Sequence, residues 1–308
     1  MTEAVERTCY RHPDRVTGLS CSECGRPICT ECMTIAPVGI RCPEHSGRAQ
    51  GVQRVRHGVR RASFEGVGAK VTRALIGLNV AVYVVQLAQG SGVNANHGSI
   101  YQGGALIANG VKFGDQLAGV PAGIPAEVGL DLVGVAHGDW WRLITAAFLH
   151  YGPFHLLLNM LALYWFGSLL EQRIGSGRFL LLYLVSGLAG SAGALIASPE
   201  SPTVGASGAI FGILGAGLVL EQQRDYVFGG SALGIIIINL VFTFAIPNIS
   251  IGGHIGGLIG GAAATLGLSR FGRGHVAYGR AGALGVATIV VVGIASVLVA
   301  YWKTRGYA

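Results

Sequence analysis

The chain has 308 residues, 51% of them hydrophobic and only 12% charged, with a mean hydropathy of +0.53. Soluble domains carry roughly 25% charge, so composition alone excludes an ordinary soluble protein and points to a polytopic membrane protein. The net charge of +7 does not mark a nucleic-acid binder, because Lys and Arg concentrate in the N-terminal segment and in short loops between apolar runs. Fifty glycines beside ten prolines, with no G-X-Y period, exclude collagen and suit transmembrane helices that approach closely.

Residues 1–47 are polar, and all six cysteines fall there, between Cys9 and Cys42. The first residues contain no apolar signal-peptide core, so this segment is expected in a reducing cytoplasm, where paired cysteines are metal ligands more often than disulfides. The ligand types read C-x2-H (Cys9, His12), C-x2-C (Cys21, Cys24), C-x2-C (Cys29, Cys32) and C-x2-H (Cys42, His45). Each pair at that spacing can fill two corners of a zinc tetrahedron. The order resembles B-box-type zinc fingers. That resemblance implies cross-braced pairing, with Cys9, His12, Cys29 and Cys32 in one site and Cys21, Cys24, Cys42 and His45 in the other. Spacing alone leaves sequential pairing open. Two closed, structural Zn2+ ions are expected, and the module's role is expected to be contact with a cytoplasmic protein partner, or regulation.

Residues 48–70 form a basic linker, with Arg54, Arg56, Arg60, Arg61 and Lys70 suited to an anionic lipid surface. Apolar runs then place membrane spans near 71–89, 152–170, 178–197, 204–220, 227–246, 251–269 and 283–302, each close to the ~20 residues that cross a bilayer. A long, Gly-rich loop, 90–151, separates the first two, and its tail carries Trp140 and Trp141 at the expected interface. With the N-terminus inside, the cytoplasmic side collects the linker arginines, Lys70, Arg73, Arg173, Arg178, Arg224, Arg270, Arg273 and Arg280. The outside receives only Lys112, Arg142, Lys303 and Arg305. The positive-inside rule therefore favours a cytoplasmic N-terminus.

In that topology the second, fourth and sixth spans run from outside to inside. His150, His155 and Asn159 begin the second, Ser207 begins the fourth, and His254 begins the sixth. These polar groups share one depth, just below the outer surface, and polar groups in a membrane are functional by default. A transporter would instead spread its polar residues along the full depth. No carboxylate falls within the apolar interior of a span and no H-E-x-x-H occurs, which excludes aspartyl and zincin chemistry and a carboxylate proton relay. What is left is a hydroxyl nucleophile, an imidazole base and oxyanion donors.

Gly205-Ala206-Ser207-Gly208 opens the fourth span, and Gly252-Gly253-His254-Ile255-Gly256-Gly257 opens the sixth, followed by Gly260 and Gly261. Alone, G-x-S-G in a membrane helix is more often packing than chemistry. The glycines around His254, however, form a groove that would admit a neighbouring backbone and bring a serine within reach.

The segment 141–270 resembles the rhomboid protease core. Trp141-Arg142 matches the family's Trp-Arg pair, and His150, His155 and Asn159 match its H-x4-H-x3-N. Glu171, Arg173, Gly175 and Gly177 match its E-x-R-x-G-x-G. Gly205 to Gly208 match G-x-S-G, and His254, Gly257 and Gly261 match its H-x-x-G-x-x-x-G. The resemblance implies an all-α polytopic fold: a six-helix core over 71–270 and a C-terminal seventh span within 271–308, preceded by the small zinc-stabilised module. It implies cleavage of single-pass transmembrane proteins within the lipid bilayer, without a catalytic cofactor. Ser207 would be the nucleophile and His254 its base. His155, Asn159 and the Ser207 backbone N–H would stabilise the oxyanion, and Phe211 would stack on His254. His150, Trp141 and Arg142 would support the site, the last two as interfacial anchors of the outer loop. An inactive relative that escorts membrane clients would usually lack the serine or the histidine, and both are present. The seventh span is expected to serve packing or partner contact.

Overall fold

The computed structural model describes residues 7–36, 39–45, 68–90, 96–123, 131–272 and 282–307. It contains two compact units, Met1–Gly66 and Val67–Ala308. Most of the basic linker, residues 48–67, lies outside the described residues, as do Arg273 and Arg280.

The first unit holds two antiparallel hairpins. Strand β1 (Thr8–Cys9) pairs with β2 (His12–Val16), and β3 (Thr34–Ala36) pairs with β4 (Gly39–Arg41). Its buried cluster is Ile28 with Cys9, Cys21, Cys29, Cys32 and Cys42, so almost nothing apolar other than the thiols fills its centre.

The second unit runs α1 (Lys70–Ala88), α2 (Gly98–Gly104), β5 (Gly110–Phe113), β6 (Gln116–Gly119), β7 (Leu132–Val133), α3 (Arg142–Thr145), α4 (Pro153–Ile174), α5 (Ser176–Ala197), α6 (Ser207–Gln222), α7 (Ala232–Ala245), α8 (Ile251–Gly272) and α9 (Gly282–Thr304). Helices α1, α4, α5, α8 and α9 are long and apolar enough to cross a membrane. Helices α6 and α7, with 16 and 14 residues, are shorter than the spans expected from hydropathy. Apolar runs do not mark where helical geometry starts. Gly205, at φ 126°, holds the chain out of the helix until Ala206. The run after α6 is turned by Glu221, whose carboxylate accepts N–H groups of Phe228, Gly230 and Ala232, so α7 begins only there. Pro247 then ends it, because the residue before a proline avoids the helical region.

Helix α8 is the hub, and it uses two glycine rows. A methyl group on Gly256 would lie 2.4 Å from the Ala189 carbonyl oxygen of α5, and one on Gly257 would lie 1.9 Å from the Gly208 carbonyl oxygen of α6. Any side chain there would overlap backbone, so the close crossings on both faces require hydrogen at these positions. At the opposite end of the bundle, Glu171 is buried. It accepts hydrogen bonds from the backbone N–H groups of Val71 (3.0 Å) and Thr72 (2.8 Å) and from the hydroxyls of Thr72 (2.8 Å) and Ser176 (2.6 Å). One carboxylate thus caps the start of α1 and ties it to α4 and α5. The E-x-R-x-G-x-G turn is therefore also a clamp. Helix α9 is a packing element: Ile289 and Ala300 are fully buried, and Gly267 of α8 faces Thr288.

The outer loop is a folded substructure. Its sheet has the order β6-β5-β7; Ile107, Leu117 and Val133 share one buried cluster, and Leu106, Ala108 and Val135 share another with Ala192, Leu195 and Ala300. Arg142 was expected at the interface, but it is only 1% exposed. Its guanidinium donates to Asp139 Oδ2 and to the Ala105 carbonyl, both at 2.8 Å, so it pins the loop from inside. Trp141 is exposed, and its indole N–H donates to the Gly103 carbonyl at 2.9 Å. The same loop is stitched to the segment that leads into α6. Leu106 and Thr203 exchange backbone hydrogen bonds at 3.0 and 2.8 Å, and Gly205 N–H donates to the Ala146 carbonyl at 2.9 Å.

Candidate active site

These stitches deliver Ser207 to the first position of α6. Its N–H there is one of the groups that a helix leaves without an internal partner, at the positive end of the dipole. One turn on, Phe211 stacks on the His254 ring, with centroids 4.1 Å apart and planes 17° apart. His254 stands in the first turn of α8, and its backbone N–H donates to the Ser250 carbonyl. The Gly208–Gly257 crossing brings the two helices together beside both residues. Among the described hydrogen bonds none joins Ser207 to His254 directly; such bonds often tighten only when substrate binds.

His155 reaches the same place from α4. A methyl group on Gly205 would sit 2.8 Å from His155 Nε2 and 3.7 Å from Ser207 Oγ, so the imidazole edge and the hydroxyl face a common point, which this glycine keeps open. The other ring nitrogen, His155 Nδ1, accepts the Tyr151 backbone N–H at 3.2 Å. Asn159 lies one turn further along α4, and its side-chain amide donates one hydrogen to the His155 carbonyl at 2.9 Å. His150 is wholly buried, with its ring 5.0 Å from that of His155. Its backbone N–H, rather than its ring, makes the structural bond, to Gln86 Oε1 at 3.2 Å.

Beside Ser207 lies a cavity of about 30 Å³ walled by small residues, among them Gly187, Gly190, Ser191, Ala194 and Gly205. One further residue approaches the site that the sequence did not signal. Thr243 of α7 places Oγ1 2.7 Å from His254 Nδ1.

The first unit gathers its ligand-type residues into two groups, Cys9, His12, Cys29 and Cys32, and Cys21, Cys24, Cys42 and His45. This is the cross-braced grouping. His12 Nδ1 lies 3.3 Å from Cys32 and 3.4 Å from Cys29, His45 Nδ1 lies 3.1 Å from Cys42, and the sulfurs of Cys24 and Cys42 are 3.8 Å apart. The edges of a tetrahedron with metal–sulfur bonds of ~2.3 Å are about 3.8 Å, so both groups fit a tetrahedral metal ion. Burial raises the Cys9 thiol, but the backbone N–H groups of Cys29, Arg11 and His12 outweigh it and hold it down at about 6. Burial and the neighbouring thiols Cys29 and Cys9 push Cys32 up to about 11. Deprotonation in that site thus favours Cys9 over Cys32.

Comparison with known proteins matches residues 137–271 to the Rhomboid domain. The chain is 51% identical to rhomboid protease GluP of Bacillus subtilis over 144 residues, which cover 45% of this chain and 28% of GluP. It is 42% identical to YdcA of the same bacterium over 134 residues, covering 42% of this chain and 67% of YdcA. The chain belongs to the rhomboid family. RHOMBOID-like protein 1 of Arabidopsis thaliana is 39% identical over 138 residues, covering 43% of this chain and 36% of that protein. The chain thus spans well under half the length of GluP and of the Arabidopsis relative. The rhomboid match includes every residue of the α4, α6 and α8 site and leaves the Cys- and His-rich unit outside it. Family and apolar helices together make this an integral membrane protein.

Proposed function

We propose that this rhomboid is an intramembrane serine endopeptidase acting on single-pass transmembrane proteins. The observation that carries the reading is the convergence at Gly205, where Ser207 Oγ and His155 Nε2 face one point beside the His254 helix. In this reading Ser207 Oγ attacks the scissile carbonyl, and its proton passes to His254 Nε2 and then to the leaving amine. Because His155 Nδ1 accepts the Tyr151 N–H, the ring's own proton sits on Nε2, where it serves as a donor to the oxyanion. Asn159 keeps a second amide hydrogen for the same purpose, and the Ser207 N–H is the third donor. Phe211 holds the His254 ring by stacking. His150, Gly205 and Gly208 give the site its shape, and Trp141 and Arg142 hold the loop that delivers the serine. The small-residue cavity beside Ser207 suits a short substrate side chain next to the cut bond.

The distribution of basic residues supports a cytoplasmic N-terminus and a site that opens toward the outer side. For the N-terminal unit, residues 1–47, we propose two structural Zn2+ ions and a role in contacting a cytoplasmic protein, with 48–70 as linker and 271–308 as the appended seventh span.

The deciding experiment compares the purified parent and Ser207→Ala, both reconstituted in bilayers with a reporter transmembrane substrate. The expected result is cleavage by the parent and a loss of at least about a thousandfold in the variant. Equal cleavage by the two would remove Ser207 from the chemistry.

A further inference from the structure

A stacked imidazole is held in its plane but not in its orientation. Phe211 packs against the His254 face equally well whichever edge points at the serine, because a half-turn of the ring exchanges Nδ1 and a carbon without changing its shape. Something else must break that symmetry, and among the described side chains it is Thr243. Its Oγ1 lies 2.7 Å from His254 Nδ1, and both residues are more than nine-tenths buried. The threonine hydroxyl has one hydrogen, which it donates to the Asn239 carbonyl one turn earlier in α7, at 2.7 Å. Toward the imidazole it therefore offers a lone pair. Nδ1 must then carry the ring proton, and Nε2 is left with the lone pair a base needs.

We propose that Thr243 is the positioning residue of the dyad: its hydroxyl selects the tautomer and the ring orientation of His254. It takes the orienting part that a buried aspartate plays in a Ser-His-Asp triad, with a neutral acceptor in place of a charge. The arrangement inverts that of His155, whose Nδ1 accepts from backbone, so that its proton points the other way. Two imidazoles in one site thus carry opposite tautomers, one fit to take a proton and one fit to donate a hydrogen bond. This deepens the serine-protease reading and rests on it, but the position of the proton is open to measurement on the protein without substrate.

The first arm is nitrogen NMR of the full-length protein, isotope-labelled at histidine, with the His254 signals assigned by their absence in His254→Gln. The expected spectrum shows Nδ1 protonated and Nε2 not; protonation at Nε2 would overturn the proposal whatever the activity. The second arm measures cleavage in Thr243→Val, which keeps the shape and loses the acceptor, and in Thr243→Ser, which keeps the acceptor. Loss of a hydrogen-bond partner to a buried N–H is expected to lower kcat about ten- to hundredfold in the valine variant, with KM little changed. The serine variant should stay within about threefold of the parent. Equal losses in both variants, or parental kcat in Thr243→Val, would overturn the proposal. Should Thr243→Val not fold, the tautomer of the parent and the activity of Thr243→Ser still test it. A parent that cleaves no better than Ser207→Ala would defeat the protease reading while leaving the tautomer measurement to stand.

Discussion

The N-terminal unit and the helical bundle both bring distant side chains together, and they draw on different resources to do it. In the first, the buried cluster is five thiols and one isoleucine, and the first hairpin, the segment between the hairpins and the turn after β4 supply two sets of ligand atoms. In the second, the decisive contacts are backbone against backbone, as where Gly257 meets the Gly208 carbonyl. A unit this small buries little apolar surface, and in the proposed reading it draws its order from ions it can lose. A bundle built on glycine rows has its order written into the covalent chain. With metal bound as proposed, the difference teaches where each half is vulnerable: one to chelation, the other to a single methyl group.

The largest effect should come from metal removal. Metal analysis of carefully handled protein should find about two zinc ions per chain, and their binding to such a module is worth roughly 10–16 kcal/mol. Treatment with a strong chelator should therefore abolish hydrogen-exchange protection in residues 7–45 while leaving α4 to α8 protected. Retained protection in the chelated unit would erase the contrast. Next comes Gly257→Val, whose first carbon would stand 1.9 Å from a carbonyl oxygen that cannot rotate away. A destabilisation of about 3 kcal/mol or more is expected in detergent unfolding. Gly234→Ala, on a stretch of α7 where an added carbon meets nothing within 4 Å, should change stability by less than about 1 kcal/mol. If the two variants behaved alike, close approach would not be what holds the helices. A smaller loss than that of Gly257→Val is expected for Glu171→Gln. At Glu171 the bundle borrows the module's strategy, gathering four donors around one carboxylate. Loss of that charge should cost about 1–3 kcal/mol and loosen the start of α1, measurable as faster exchange at Val71 and Thr72. Unchanged exchange there would mean that the cap is replaceable.

Much of this site could be read without coordinates, because its parts are rare residues in rare places. Histidines and a serine at the same end of three apolar helices are conspicuous, and so are paired cysteines two apart. What escaped notice is made of common residues whose role depends on a neighbour. Thr243 is one threonine within an apolar helix, and only the packing of α7 against the start of α8 gives it a partner outside its own helix. Glu171 was recognisable as part of a turn, but three of its four donors lie about a hundred positions earlier in the chain. Arg142, beside two tryptophans, looked like a surface anchor until Asp139 and the Ala105 carbonyl closed around it. The sheet β6-β5-β7 was hidden in a Gly-rich stretch whose strands are four residues or shorter, too brief to show an alternating pattern.

Helix α7 carries one more consequence. Fourteen residues rise only about 21 Å, against a hydrocarbon layer of about 30 Å. Its outward side chains, among them Leu233, Ile237, Ile238, Val241, Phe242 and Phe244, are exposed and apolar, so acyl chains must cover them. Lipids alongside so short a surface have to compress to meet it. In the proposed reaction, a substrate helix of ordinary length beside the Thr243 helix would leave part of its greasy stretch standing in the headgroups, which favours unwinding before the bond is cut.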